Sequence, residues 1–314
     1  MADSSPARPR VLVLLGPTAV GKTAVSLALA SRLDAEIIGA DSRQIYRGVT
    51  IGSAAPTAEQ LATVPHHLIG FLDPRVTYSV AEFVASAESA AHDILARGRT
   101  PLVVAGTGMY LKALVTGWSL TGVPANEAVR ARLESELAEV GSAALHRRLA
   151  ELDPETADRL APADAKRIVR ALEVHEVSGR PLSEHHRESG TRPVPFDYKL
   201  VGLRREREAL YARIEQRVDA MLADGWLDEV RGLLDAGLTG DEPAFEGLGY
   251  RALAAVVRGE RELGEVVAGI KQDTRRFAKR QMTWFRALPE VEWLDLDMLT
   301  PGDAAASVAA GWEG

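Results

Sequence analysis

Apolar and polar positions follow three different rhythms along the chain. In the first third, short unbroken apolar runs alternate with helically spaced ones. Val11 to Leu15 is apolar throughout and enters a glycine-rich turn, and Thr23 to Leu33 then repeats its apolar residues at helical spacing. Glu36 to Ala40 and Pro101 to Ala105 predict two further strands, and Thr107 to Leu114 predicts a helix. This alternation predicts a parallel sheet with helices on its faces, and such sheets bind ligands at the carboxyl ends of their strands. From about Trp118 to Arg192 the rhythm is helical almost without interruption, as in Glu127 to Glu139, Ser142 to Glu151 and Ala163 to Ser178. Gly117, Gly122 and Pro124 punctuate the start of this stretch, and Gly190, Pro193 and Pro195 its end. The reading is a helical insertion over 119–192 that interrupts a core of 1–118 and 193–314. Tyr198 to Leu203 returns to the sheet, Glu262 to Arg286 is a long amphipathic helix, and Val291 to Leu294 forms an edge strand.

The first strand-to-helix turn carries chemistry. Gly16-Pro17-Thr18-Ala19-Val20-Gly21-Lys22-Thr23 fits the spacing G-x-x-x-x-G-K-[ST] between a strand and a helix, the context that a phosphate-binding loop requires. Its glycines let backbone N–H groups turn towards phosphate oxygens, Lys22 adds a compact positive charge, the Thr23 hydroxyl is placed to hold Mg²⁺, and the helix N-terminus adds its dipole. The predicted class is therefore α/β, a P-loop NTPase-like parallel sheet core with a helical insertion domain. A phosphate loop does not specify which phosphate it binds. The strand ending in Ala105-Gly106-Thr107 lacks the acid that usually accompanies NTP-Mg²⁺, which turns the reading towards small-molecule group transfer.

Asp41 directly follows the second strand, so it faces the same crevice as the loop. It is placed either to ligate Mg²⁺ or to accept a proton from a nucleophile. Arg43, Gln44 and Tyr46 surround it with groups suited to an aromatic base. In the long C-terminal helix, Lys271, Arg275, Arg276, Lys279, Arg280 and Arg286 stand against a single acid, Asp273, in a chain whose net charge is -7. Because opposite charges do not alternate there, the run is read as phosphate contact. Trp284 is read chiefly as a core residue, with base stacking as its functional alternative. His66, His67, His185 and His186 lack spaced carboxylate or thiolate partners and are read as loop residues without metal.

Five segments together resemble the tRNA dimethylallyltransferases, also called tRNA isopentenyltransferases: Gly16 to Thr23, Asp41 to Tyr46, Ala105 to Lys112, Gly247 to Arg251 and Lys279 to Arg286. The resemblance implies transfer of a dimethylallyl group from dimethylallyl pyrophosphate to N6 of the adenine 3′-adjacent to the anticodon, with Mg²⁺ as cofactor. It implies that the whole loop Gly16 to Thr23 holds the donor pyrophosphate, with Thr23 on the metal. Asp41 faces the adenine N6, Thr107 lies in the reaction channel, and Arg213 and Arg217, unranked, reach the pyrophosphate. It implies that the insertion grips the anticodon stem-loop. The tRNA contacts it implies are Asp41, Ser42, Arg43, Gln44, Thr107, Arg130, Lys166, Arg167, Arg170, Gly249, Tyr250, Arg251, Lys279, Arg280, Gln281, Trp284 and Arg286. Two departures stand out. Ala105 occupies a position where the family usually has Gly, which places a methyl beside Thr107, and Lys166 occupies one where Gln is common.

Composition narrows the alternatives. The chain has no cysteine, which excludes disulfides and thiolate chemistry. It has no apolar run long enough to span a bilayer and no apolar signal segment at its polar start. The expectation is a cytoplasmic monomer without a membrane partner, acting on tRNA and dimethylallyl pyrophosphate. A P-loop kinase of a nucleoside or small metabolite is the alternative enzyme, and an RNA-binding protein with a vestigial nucleotide loop the alternative outside enzymes. The insertion and the basic helix argue against the first, and the intact Lys22, Thr23 and Asp41 against the second.

Overall fold

The structure, a computed structural model, describes residues 8–118, 122–188 and 191–313. The chain divides into two compact units, one of residues 1–115 and 194–314 and one of residues 116–193.

The larger unit begins with β1 (Arg10–Leu15), α1 (Lys22–Leu33), β2 (Ala35–Ala40), α2 (Ala58–Thr63), β3 (His66–His67), α3 (Val80–Ala96), β4 (Thr100–Ala105) and α4 (Gly108–Thr116). The smaller unit is helical, with α5 (Glu127–Val140), α6 (Ser142–Leu152), α7 (Pro154–Arg159), α8 (Ala165–Ser178) and α9 (Leu182–Glu188). The chain then returns through β5 (Asp197–Arg204), α10 (Arg207–Ala223), α11 (Trp226–Asp235), α12 (Tyr250–Val257), α13 (Leu263–Arg286), β6 (Glu292–Asp295) and α14 (Pro301–Glu313).

The strands form one parallel sheet in the order β3-β2-β4-β1-β5-β6. Central β1 pairs with β4 on one side and β5 on the other. Val11 to Leu15 are fully buried, as expected of a strand covered on both faces. One core joins Leu12, Leu14, Val25 and Leu29 to Val201, Ile214 and Ala304. A second gathers Ile45, Trp226, Tyr250, Phe245 and Ile270 beneath the 41–54 loop. The helical unit has its own core of Leu133, Leu145, Leu149, Ile168 and Leu172.

Two short elements depart from the expectation. His185 and His186, read as loop residues, lie in α9. His66 and His67, read as loop residues, form β3 beside Ile37 and Ile38 of β2. Two residues carry no periodicity, so the sequence pattern had nothing to register. His67 Nε2 lies 2.6 Å from Glu36 Oε2. Glu36, only 4% exposed, also binds Arg97 and Arg99 at 2.6 and 2.9 Å. Among the described residues no group of three or more His, Asp or Glu is disposed to hold a metal ion.

Candidate active site

The sheet's topology sets the position of the site. Because β1, β2 and β4 are adjacent and parallel, the loops that follow them leave the sheet at one edge. The loop after β1 is the phosphate loop. Gly21 at its end adopts φ 118° and leads into α1, a conformation that favours glycine. Ala19 takes φ 63°, unusual for a residue with a Cβ, and is held there by Arg213, whose Nε donates to the Ala19 carbonyl at 3.0 Å. Arg205 donates to the Val20 carbonyl at 3.0 Å and to Asp297 at 2.7 Å. Lys22 folds back on its own loop, donating from Nζ to the carbonyls of Gly16 and Pro17 at 2.7 and 3.0 Å. Among the described residues no hydrogen bond engages the Thr23 hydroxyl.

Charge is concentrated around this loop. Burial and, to a lesser degree, the cationic Arg217 lower the Lys22 pKa to about 7 against the opposing pull of Asp41. Burial likewise holds the Arg217 guanidinium below its ordinary value, against the pull of Asp41 and with Arg213 adding to the effect. Arg217 is thus coupled electrostatically to Lys22 on one side and Arg213 on the other, a concentration of positive charge suited to an anion.

The loops after β2 and β4 form the opposite wall. Asp41 Oδ1 accepts from the Arg43 N–H at 2.9 Å, which fixes the carboxylate in the turn. A Cβ on Gly106 would lie 2.4 Å from Asp41 Oδ2, so only glycine lets the β4 loop come this close to the acid. Thr107 Oγ1 accepts from the Ser42 N–H at 3.0 Å and lies 3.3 Å from the Ser42 hydroxyl. Asp41, Ser42, Thr107, Lys22, Arg213 and Arg217 are thus brought together.

Several expected contact residues are engaged elsewhere. Tyr250 is fully buried and donates to Glu229 Oε1 at 2.6 Å, so it cannot touch RNA. Glu229 also accepts from the N–H groups of Thr50, Ile51 and Gly52, so the Gly247–Arg251 segment acts here as a brace under the 50–52 loop. Gly249 belongs to the same brace, since a Cβ there would lie 2.4 Å from Trp226. Gln44 donates to the carbonyls of Ser53 and Ala54 at 3.1 and 2.9 Å, while Arg43 binds the Pro243 carbonyl and Glu246 at 2.9 and 3.2 Å. Gln281 is 3% exposed and turned inward, bonded to Thr18 and Gly106. Ala105 is also fully buried, so its methyl group sits in the core. Trp284, read chiefly as core, is 37% exposed and lies under the Lys112 ammonium. Arg251, Lys279, Arg280 and Arg286 are exposed.

The basic helix also differs from its one-dimensional reading. Lys271 pairs with Asp219 at 2.7 Å and Arg275 with Glu215 at 2.6 Å, both acids lying on α10, while Arg276 pairs with Asp273 at 3.2 Å. In the helical unit, Arg130 and Arg170 converge at 2.8 and 2.9 Å on Glu173, a fully buried carboxylate. Lys166 and Arg167 are exposed, the latter paired with Asp164. Arg205 was not singled out by motif, although its place just beyond β5 aims it at the same edge as the phosphate loop.

A phosphate loop flanked by the partly buried Lys22 and Arg217 and the exposed Arg213, facing a fixed carboxylate across the carboxyl edge of a parallel sheet, defines a P-loop enzyme. The sequence model of the family described as IPP transferase matches residues 44–288. Relatives named tRNA dimethylallyltransferase are similar over most of the chain. The one from Roseiflexus sp. (strain RS-1) is 46% identical over 302 residues, covering 96% of this chain and 98% of the relative. The one from Symbiobacterium thermophilum is 50% identical over 286 residues, covering 91% and 89%. The solved full-length tRNA isopentenylpyrophosphate transferase from Bacillus halodurans matches with a TM-score of 0.71 at 37% identity, covering 98% of this chain and 96% of that one. A eukaryotic dimethylallyltransferase acting on tRNA matches with a TM-score of 0.79 at 27% identity, covering 96% and 77%. The chain belongs to the IPP transferase family.

Proposed function

We propose that this enzyme transfers a dimethylallyl group from dimethylallyl pyrophosphate to N6 of the adenine 3′-adjacent to the anticodon of tRNA, releasing pyrophosphate. The observation that carries the reading is the opposition of the Lys22, Arg213 and Arg217 cluster to Asp41 across one site.

The chemistry follows from that opposition. The pyrophosphate lies in the Gly16–Thr23 loop, where backbone N–H groups and the three cations stabilise the charge that develops as the C1–O bond breaks. The adenine N6 attacks C1 from the Asp41 side, and its proton passes to the Asp41 carboxylate. Thr107 and Ser42, tied to each other, line that side. The target base leaves its stack to enter, at a cost of a few kcal/mol, least for a loop base. Magnesium fits the residues present: the Thr23 hydroxyl is available at the start of α1, and Mg²⁺ commonly takes one or two protein oxygens with its other ligands from phosphate and water. When bound there, it would neutralise part of the pyrophosphate charge. The helical unit, through the exposed Lys166 and Arg167 and the paired Arg130 and Arg170, grips the anticodon stem-loop.

The test is mass spectrometry of an anticodon stem-loop incubated with the enzyme, Mg²⁺ and dimethylallyl pyrophosphate. The expected product carries one dimethylallyl group on the target adenine. Phosphoryl transfer from ATP without prenyl product would overturn the reading in favour of a kinase.

A further inference from the structure

We propose that Gln281 is a positioning residue that sets the spacing between the two halves of the active site, the phosphate loop and the Asp41–Thr107 wall. This rests on the reaction proposed above. The β1–β4 ladder ends at the pair Leu15 and Ala105. Beyond it the two chains leave the sheet as separate loops, one carrying the donor site and the other the acceptor wall. Gln281 projects from α13 between them. Its Oε1 accepts from the Thr18 N–H at 2.8 Å, and its Nε2 donates to the Gly106 carbonyl at 2.7 Å.

Both partners belong to the site. Thr18 is in the phosphate loop. Gly106 packs against Asp41 Oδ2, and its N–H and that of Thr107 both donate to the Ala40 carbonyl at 3.1 Å. Displacing Gly106 therefore moves the surroundings of the carboxylate and the threonine together. The chemistry of the side chain is specific to the task. A primary amide presents a donor and an acceptor at one end without charge, whereas a carboxylate cannot donate and an ammonium cannot accept. The helix is also seated on the same loop one turn later, where a Cβ on Gly108 would lie 2.4 Å from Trp284 Cβ. Buried and with both ends of its amide engaged, Gln281 acts in this proposal through the two loops. It governs how far the allylic carbon stands from the incoming nitrogen, a distance to which transfer is acutely sensitive.

Two variants of the full-length enzyme test this. Gln281→Met keeps the length of the side chain and removes both bonds. Its kcat should fall roughly 10- to 100-fold, the scale of a small misplacement of reacting groups, while the KM values for donor and stem-loop change less than about threefold. Gln281→Glu keeps the acceptor for Thr18 but, when ionised, cannot donate to Gly106. Protonation restores the donor, so the ratio of its kcat to that of the wild type should climb as pH falls from about 8 to about 5.5. The same ratio for Gln281→Met should stay flat. A Met variant with kcat within twofold of the wild type, or a flat ratio for the Glu variant, would overturn the role. If the Met variant does not fold, the Glu ratio decides alone. A wild type that yields no prenylated product overturns the functional reading and the role of Gln281 with it; flat ratios beside an active wild type overturn only the latter.

Discussion

Asp41 and Lys22 place opposite demands on the same small volume. The proposed reaction needs Asp41 available as a base, and the hydrogen bond from the Arg43 N–H to Oδ1 holds the carboxylate in the turn. Asp41→Asn preserves the shape and removes the base, so turnover should fall by roughly 10²–10⁴, the usual worth of general base catalysis. Donor affinity should change little. An Asn variant with near-normal turnover would reduce Asp41 to a turn residue. Lys22, lowered to about 7 chiefly by burial, is mostly neutral in the free enzyme above that pH. A pyrophosphate in the loop favours the ammonium, so the complex should take up a proton and donor affinity should fall as pH rises above about 7. Calorimetry at pH about 8.5, in two buffers of different ionisation enthalpy, should show an uptake approaching one proton per donor bound. Uptake should vanish in Lys22→Met, and its absence from the wild type would contradict the assignment of Lys22 to the donor.

At the scale of the element, α13 has two functions on different faces. Val266, Ile270, Ala278, Gln281 and Phe285 are buried, which seats the helix and delivers Gln281 to the loops. The opposite face carries the cations. Acids neutralise Lys271, Arg275 and Arg276, whereas among the described residues no ion pair engages Lys279, Arg280 or Arg286. Surface pairs of this kind contribute little to stability, but they reduce the charge offered to phosphate. Replacing Lys279, Arg280 and Arg286 together with alanine should weaken tRNA binding and flatten its log–log salt dependence by about two to three units, a little under one per phosphate contact. The Arg275→Ala, Arg276→Ala pair should change that slope by less than about one unit. Equal effects from both sets would show that the α10 acids yield to RNA. Donor affinity should be spared in either case.

At the scale of the whole molecule, Glu36 contributes to the acid limit of stability. Burial alone would raise its pKa, but hydrogen bonds from His67, Arg97 and Arg99 outweigh that and leave it below the ordinary carboxylate value of 4.5. The unfolded chain therefore binds this proton more readily than the folded one. The contribution is fully present above the unfolded value and is lost as pH falls through the folded one. Urea midpoints measured from pH about 6 to about 3 should drop more steeply for the wild type than for Glu36→Gln, which should be less stable at pH 6 and show a flatter acid limb. Parallel curves would place the acid sensitivity elsewhere. The net charge of -7 is a sum over the whole chain and does not describe α13, where Lys279, Arg280 and Arg286 are exposed and, among the described residues, outside any ion pair.

The elements themselves were legible because their cause is local. Short, mainly apolar runs became the strands β1, β2, β4 and β5, and the phosphate loop was legible because backbone geometry demands glycine and lysine at fixed spacing. The convergence of Lys22, Asp41 and Thr107 followed from parallel strands presenting their carboxyl ends at one edge. What the linear order could not reveal was which polar groups find each other. Tyr250 and Gln281 sit in motifs that look outward-facing, yet one braces Glu229 and the other joins Thr18 to Gly106, partners 21, 263 and 175 residues away. The ribbon of cations in α13 looked unopposed because its acids, Asp219 and Glu215, lie 52 and 60 residues earlier on α10. Local periodicity decides which face of an element is buried. Whether a polar side chain on it meets solvent, substrate or a distant backbone group depends on contacts across the fold, and those exist only once the elements have packed.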